Sequence, residues 1–192
     1  MRLFAAVLLP PEIVAHVDEA VAPHRDDKLR WTTSDSWHIT LAFYGHVDDA
    51  KVPDLKARLT RAARRHPALS LSLVGAGRFG RRALWVGCDG DIAPMQALAR
   101  SVAAAGRRAG ASADESRRFK AHLTVARASK PIDLRPYVGA LREYSGPGWT
   151  ADEVALVRSH LSAGENRRAK YETLSCHPLS SGARLGRPSR RA

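Results

Sequence analysis

Residues 38–42 read His-Ile-Thr-Leu-Ala, and residues 122–126 read His-Leu-Thr-Val-Ala. Each copy is a histidine, an aliphatic, a threonine, an aliphatic and an alanine. With eight histidines and seven threonines in the chain, His-x-Thr arises by chance about 0.3 times, so two copies with matching aliphatics mark a repeat. The composition around each copy predicts a strand, over 37–45 and over 121–128. Side chains alternate faces along a strand. Ile39, Leu41, Leu123 and Val125 are then assigned to the core. His38 and Thr40 share the opposite face about 7 Å apart, and His122 and Thr124 do the same.

Working outward, Leu3 to Leu9 is a compact apolar run that reads as a buried strand. Pro11 suits a first helical turn, and Ile13, Val14, Val17 and Val21 follow at helical spacing over 11–22. A short strand is expected over 29–31. The apolar stripe of Val52, Leu55 and Leu59 predicts a helix over 49–66, with its basic face solvated. Leu69, Leu71 and Leu73 alternate with serines, so 69–73 is a half-buried strand, with 83–88 as its hairpin partner and 75–82 as the connection. A second long helix spans 92–110, a polar loop 111–118 and a short helix 133–143. Two closing strands, 154–161 and 171–176, flank a turn over 162–168. Hairpins without regular βαβ alternation predict an α+β fold with antiparallel sheets. No long linker interrupts the chain, so 1–180 is expected to be one domain of two lobes. Residues 181–192 read as a flexible basic tail.

The formal charge is +12 over 192 residues, and such a field attracts polyanions. Nucleic acid, nucleotides and anionic surfaces are favoured partners, although an Arg-rich, Ala-rich composition also makes chains basic without purpose. Part of the charge, at Arg184, Arg187, Arg190 and Arg191, sits in the tail. Cys88 and Cys176 are the two cysteines. They make neither a disulfide framework nor a zinc set of the CxxC kind, and a reducing cytoplasm is the expected location. No stretch approaches the roughly 20 apolar residues of a membrane span, and the run at 3–9 lacks a cleavage site, so it is a strand and not a signal peptide.

Two histidine–threonine pairs suit one kind of chemistry. Histidine titrates near neutrality, so one imidazole accepts a proton while another donates one. Hydrolysis of a phosphodiester requires both acts, and two threonine hydroxyls can hold the non-bridging oxygens. The arrangement requires no metal and no cofactor. Arg127 is a phosphate-binding candidate because a guanidinium matches phosphate geometry. Simple alternation, however, puts it on the face opposite His122 and Thr124 unless the strand bulges. Phe43 holds the equivalent position in the first copy. The two copies are too alike for the residues themselves to say which histidine is acid and which is base.

Other signals are weaker. Residues 75–80, Gly-Ala-Gly-Arg-Phe-Gly, match G-x-G-x-x-G. A strand follows them where a dinucleotide fingerprint needs a helix, so they read as a hairpin loop, in which Arg78, Arg81 and Arg82 either touch RNA phosphates or, as the slightly preferred reading, are solvated. Trp31, Trp37 and Trp85 are candidates for base stacking, but strand tryptophans are more often core. His160 and His177 lack a threonine partner and are given no role.

The two His-x-Thr-x motifs resemble those of the 2H phosphoesterase superfamily, and more narrowly those of bacterial RNA 2′,3′-cyclic phosphodiesterases, historically called 2′-5′ RNA ligases. Leu3-Phe4-Ala5-Ala6, Arg30-Trp31, Phe43-Tyr44-Gly45, Phe119 and Ser159-x-Leu161 with Tyr171 resemble the surroundings of those motifs. Two departures stand out: Ala121 precedes the second histidine where the family usually has proline, and the second motif reads His-Leu-Thr-Val where His-Ile-Thr-Leu is commoner.

The resemblance implies a bilobal α+β fold with pseudo-two-fold symmetry. Two antiparallel lobes carry helices on the outside, with a central cleft and one motif on each lobe. It implies conversion of RNA 2′,3′-cyclic phosphate ends, tRNA fragments among them, to 2′-phosphomonoesters by a monomeric enzyme, with His38 as proton donor, His122 as proton acceptor, and Thr40 and Thr124 on the phosphate. ATP-independent 2′-5′ joining is an implied side activity. Two competing readings are a phosphodiesterase of the same fold acting on cyclic nucleotides, ADP-ribose cyclic phosphate or 2′-5′ oligonucleotides, and a non-catalytic RNA-binding module.

Overall fold

The structure is a computed structural model that describes residues 1–111, 119–160 and 170–181. The first half contributes β1 (Arg2–Leu8), α1 (Pro11–Val21), β2 (Arg30–Trp31), β3 (His38–His46), α2 (Val52–Ala63) and β4 (Leu69–Phe79). The second half contributes β5 (Ala83–Gly90), α3 (Ile92–Arg108), β6 (His122–Arg127), α4 (Arg135–Ala140), β7 (Trp149–Ala151), β8 (Glu153–His160) and β9 (Lys170–Pro178). Most of the polar loop predicted over 111–118, the turn over 162–168, the end of the strand predicted to reach residue 161, and the tail from residue 182 lie outside the described residues.

The strands form two sheets, ordered β3-β1-β8-β9 and β2-β6-β5-β4-β7. Each pair of neighbours is antiparallel, as the hairpin-rich pattern predicts. One His-x-Thr copy lies on β3 in the first sheet and the other on β6 in the second. The two faces of β1 explain why its sequence is apolar at every position from Leu3 to Val7. Leu3, Ala5 and Val7 enter the main core, while Phe4 and Ala6 join a small second cluster on the other face with Ala155 and Val157. The main core runs without a break through both sheets, from Ile39 and Leu41 to Leu123 and Val125.

α2 and α3 pack on each other and against the first sheet, with Leu55 and Leu59 of the one and Leu98 and Val102 of the other fully buried. Burial of each such side chain contributes about 1.5–3 kcal/mol. Tyr44 of β3 is buried beneath α3 and donates its hydroxyl hydrogen to the Val102 carbonyl at 3.0 Å, which seats the helix on the strand that carries His38. α4 packs on β4. No helix among the described residues is long and apolar enough to cross a membrane.

Several boundaries differ from the sequence expectation. The helix predicted over 49–66 begins with a 3-10 turn, Asp49–Lys51, and is α-helical only from Val52 to Ala63. β7 carries little signal of its own because it is three residues long and follows Gly146-Pro147-Gly148. The largest correction is at β4. Its alternation fades after Leu73 and its glycines read as a connection, yet the strand stays paired to Phe79 and the turn is confined to residues 80–82. The ladder absorbs one irregularity between Val74 and Ala76 and then continues. Gly77 is there for space. It lies opposite Trp85 in the ladder, and a Cβ at Gly77 would come within 2.2 Å of the Trp85 ring.

Gly77 and Gly80 are therefore required for different reasons, and substitution separates them. Gly77→Val forces the Trp85 ring from its place and is expected to cost on the order of 3 kcal/mol. Gly80 has φ +56°, and a Cβ added there would meet nothing within 4 Å, so Gly80→Ala meets only backbone strain of about 1 kcal/mol. Urea unfolding of the two variants checks the order, and equal costs would refute the steric role of Gly77.

Candidate active site

The two motifs meet between the sheets. His38 and Thr40 of β3, together with His122, Thr124 and Arg127 of β6, line one cavity of about 110 Å3, and Thr32, Ser36 and Tyr171 complete its wall. All five residues singled out in the sequence are thus brought together.

Arg127 reaches the cavity because β6 does not alternate cleanly. Thr124 pairs with Trp85, but Ala126, two residues on, pairs with the very next residue, Leu84. Val125 is therefore an extra residue, a bulge, and it returns Arg127 to the face of His122 and Thr124. β3 does the same at the matching place, where Thr40 pairs with Ala6, Ala42 pairs with Ala5, and Leu41 is left over. Burial follows the same sequence in both strands, half-buried, buried, half-buried, buried, buried. Phe43 is the positional counterpart of Arg127, as the alignment of the copies predicts. The simple alternation that put Arg127 on the far face fails because of this bulge. The residue after β2 holds it in place: the Thr32 amide and hydroxyl both donate to the Val125 carbonyl, at 2.9 and 2.8 Å.

Each imidazole is held in the same way. Nδ1 of His38 lies 2.8 Å from the Ser36 carbonyl oxygen, and Nδ1 of His122 lies 2.7 Å from that of Lys120. A carbonyl only accepts, so each Nδ1 carries hydrogen and donates. In the neutral ring Nε2 then keeps its lone pair, ready to take a proton. Aromatic rings fix both imidazoles from the sides. Phe4 stacks on His38 at 4.6 Å between centroids and Tyr171 meets it edge-on at 5.1 Å. Phe79 meets His122 edge-on at 4.8 Å, with Trp85 at 6.1 Å.

Burial pushes the His38 pKa down to about 4, with further depression from His122 and Arg127. Burial also lowers that of His122, with help from Arg127 and Lys120. Arg127 thus acts on both rings, as a cation lining the same cavity must. A negative phosphate in this cavity would reverse that balance and favour protonation of an imidazole.

Sequence reasoning missed Thr32, Ser36 and Tyr171 as wall residues. Ser36 was discoverable, since a backbone carbonyl two residues before a histidine is well placed to hold Nδ1. Tyr171 is brought in by strand pairing across the first sheet and leaves no local signal. The tryptophans resolve as core. Trp31, Trp37 and Trp85 are 9%, 4% and 8% exposed, so none presents an open face, and Lys120 lies 4.0 Å above the Trp85 ring. His177 is buried between Thr60 and Ser175, and His160 pairs with Glu172 at 2.8 Å. Neither lines the cavity. Among the described residues no three His, Cys, Asp or Glu side chains converge as a metal site would need.

The His38 shift also has a consequence for stability. Its folded pKa lies below the unfolded value of 6.5, so the unfolded chain binds more protons in acid. The contribution is complete above pH 6.5 and is lost as pH falls towards 4. Between about pH 7 and about pH 4.5 wild type should lose on the order of 2 kcal/mol more than His38→Asn, which keeps a donor towards Ser36 but does not titrate. Urea midpoints at the two pH values measure this, and parallel losses would show that His38 is not held neutral by burial.

Comparison with known proteins agrees with this architecture. The sequence profile of the 2′-5′ RNA ligase superfamily matches residues 9–163. An RNA 2′,3′-cyclic phosphodiesterase of Geobacillus stearothermophilus is 32% identical over 171 residues, covering 84% of this chain and 49% of the relative. The chain thus spans about half the length of that protein. The enzyme of the same name from Thermus thermophilus is 33% identical over 177 residues, covering 84% of this chain and 83% of its own. The crystal structure of Escherichia coli LigT in apo form superposes with a TM-score of 0.75 at 26% identity, covering 93% of this chain and 97% of the other. With two antiparallel sheets, one His-x-Thr motif on each and a profile match across most of its length, the chain belongs to the 2′-5′ RNA ligase superfamily.

Proposed function

We propose that this chain opens 2′,3′-cyclic phosphates at RNA ends to 2′-phosphomonoesters, using two imidazoles as acid and base. The observation that carries the proposal is the cavity itself. Two imidazoles of the same tautomer, two threonines and one arginine converge on a space of about 110 Å3. A binding module needs the positive field but has no use for two imidazoles locked by backbone carbonyls. The substrate follows the names of the relatives.

In the step envisaged, His122 takes a proton from water as the water oxygen bonds to phosphorus. The bond from phosphorus to the 3′ oxygen breaks, and His38 protonates that oxygen as it leaves. His38 ends neutral and His122 charged, and exchange with solvent restores both. The assignment of His38 as donor and His122 as acceptor rests on the family resemblance, since the geometry holds the two rings alike. Thr40 and Thr124 donate to the non-bridging oxygens, where negative charge grows in the transition state. Arg127 supplies a fixed positive charge beside them. With a 5′ hydroxyl in place of water as the nucleophile, the same forward step forms the bond from phosphorus to the 5′ oxygen, breaks that to the 3′ oxygen, and so joins RNA ends through a 2′-5′ linkage without ATP. RNA ends left by cytoplasmic cleavage, tRNA fragments among them, are the substrates this reading favours.

RNA ending in a 2′,3′-cyclic phosphate, incubated in EDTA, should yield a 2′-phosphate. His38→Asn and His122→Asn should each lower kcat by about 10²–10⁴, and Thr40→Ala or Thr124→Ala by about 10-fold or more. Phosphate mapping of the product by nuclease and NMR checks the regiochemistry. RNA binding without turnover in the wild type would overturn the proposal in favour of a binding module, and loss of turnover in EDTA would overturn the metal-free mechanism.

A further inference from the structure

The small cavity opens into a larger one of about 1040 Å3, which shares Thr40, His122, Thr124 and Arg127 with it. That volume is at the top of the ~300–1,000 Å3 range of pockets that enclose one small ligand. Its far wall is the β4–β5 hairpin. Arg78, Phe79, Arg81 and Arg82 line it from that side, and Phe119 and Lys120 from the other. No carboxylate lines it among the described residues. Read locally, the hairpin arginines are slightly better explained by solvation than by RNA contact, but pairing of β4 to Phe79 carries them to the mouth of the site.

The hairpin residues are not equivalent. Nη1 of Arg78 donates to the Gly80 carbonyl at 2.7 Å, and Nη1 of Arg82 to the Ser129 carbonyl at 2.9 Å, so both brace the turn. Arg81 is exposed in the turn, and its side chain makes no hydrogen bond or ion pair among the described residues. Phe79 is 38% exposed, one of two large apolar side chains so exposed among the described residues. Its ring is backed by Trp85 at 5.5 Å and meets His122 at 4.8 Å. An exposed phenylalanine alone means little. A rigidly backed aromatic ring within a cationic groove that runs out of a phosphate-sized site is the arrangement by which proteins hold single-stranded nucleic acid: bases stack and the backbone is tracked by charge.

We infer that the β4–β5 hairpin is the part of the site that selects a polynucleotide over a mononucleotide: Phe79 stacks a base beside the reacting phosphate, and Arg81 takes a phosphodiester of the chain beyond it. This rests on the proposed function and extends it to chain length. Phe79 and Arg81 are positioning residues; neither takes part in proton transfer.

The test compares two substrates under one set of conditions, an oligoribonucleotide ending in a 2′,3′-cyclic phosphate and a 2′,3′-cyclic mononucleotide. Wild type should favour the oligonucleotide in kcat/KM by about tenfold or more, with the preference falling as salt rises. Arg81→Ala should cut that ratio about fivefold through KM and reduce the salt slope by about 1, with Arg81→Lys restoring most of it. Phe79→Ala should cut the ratio by about fivefold or more, and Phe79→Tyr should retain it. A wild-type ratio near one, or a ratio unmoved in both alanine variants, overturns the inference while leaving the proposed function intact. If the wild type turns over neither substrate, the proposed function fails, and fluorescence anisotropy of a labelled oligonucleotide then decides the hairpin separately: unchanged affinity in both alanine variants overturns its role.

Discussion

A β-strand presents alternate side chains to opposite faces, and β3 and β6 both break that rule straight after the motif threonine, at Leu41 and at Val125. The rest of the site depends on these two bulges. Before each bulge, histidine and threonine face the cavity and the aliphatics face the core. After it, the phase reverses, so two successive residues are buried and the next one, Phe43 or Arg127, swings back to the cavity side. Without the bulge in β6 a guanidinium would be driven towards an apolar core, at a large desolvation cost. With it, the cation joins two imidazoles and two hydroxyls. The first sheet uses the same device to present a phenylalanine, so the two halves share a backbone and differ in what they deliver.

That assembly is electrostatically unsatisfied when no anion is present. Burial and Arg127 act in the same direction on both histidines and favour the neutral form of each. The carbonyls of Ser36 and Lys120 hold the Nδ1 hydrogens and leave the Nε2 of each neutral ring able to accept a proton. A phosphate supplies the missing negative charge, so its binding and the protonation of one imidazole favour each other. The orientation is fixed before substrate arrives, and little reorganisation is left for the reaction itself.

Packing enforces the orientation. His38 is bracketed by Phe4 and Tyr171, and His122 by Phe79 and Trp85. The second bracket depends on Gly77, which leaves the space the Trp85 ring occupies. The same strand pairing that places this ring extends β4 to Phe79 and sets the arginine-rich turn at the cavity mouth. The candidate site and the cationic hairpin at its mouth are thus built on one continuous ladder.

The two His-x-Thr copies, their strands, the antiparallel α+β class and the shared face of each histidine and threonine pair were legible in the chain, because alternation and motif spacing are local and survive without the rest of the fold. Reading past that point failed where the cause was non-local. A bulge is a mismatch between two strands, so the residues of β6 by themselves could not bring Arg127 to the cavity side. The continuation of β4 through Gly75-Ala76-Gly77 follows from what lies across the ladder, namely Trp85, and glycines read in isolation signal a loop. Thr32 reaches the cavity through its bonds to Val125, a residue distant in the chain. Tyr171 reaches it because β9 pairs with β8 and β8 with β1, the neighbour of the strand that carries His38. Sequence alone singled out the candidate groups; tertiary structure decided which of them meet, because strand register and the packing of one sheet against the other depend on contacts that no single segment contains.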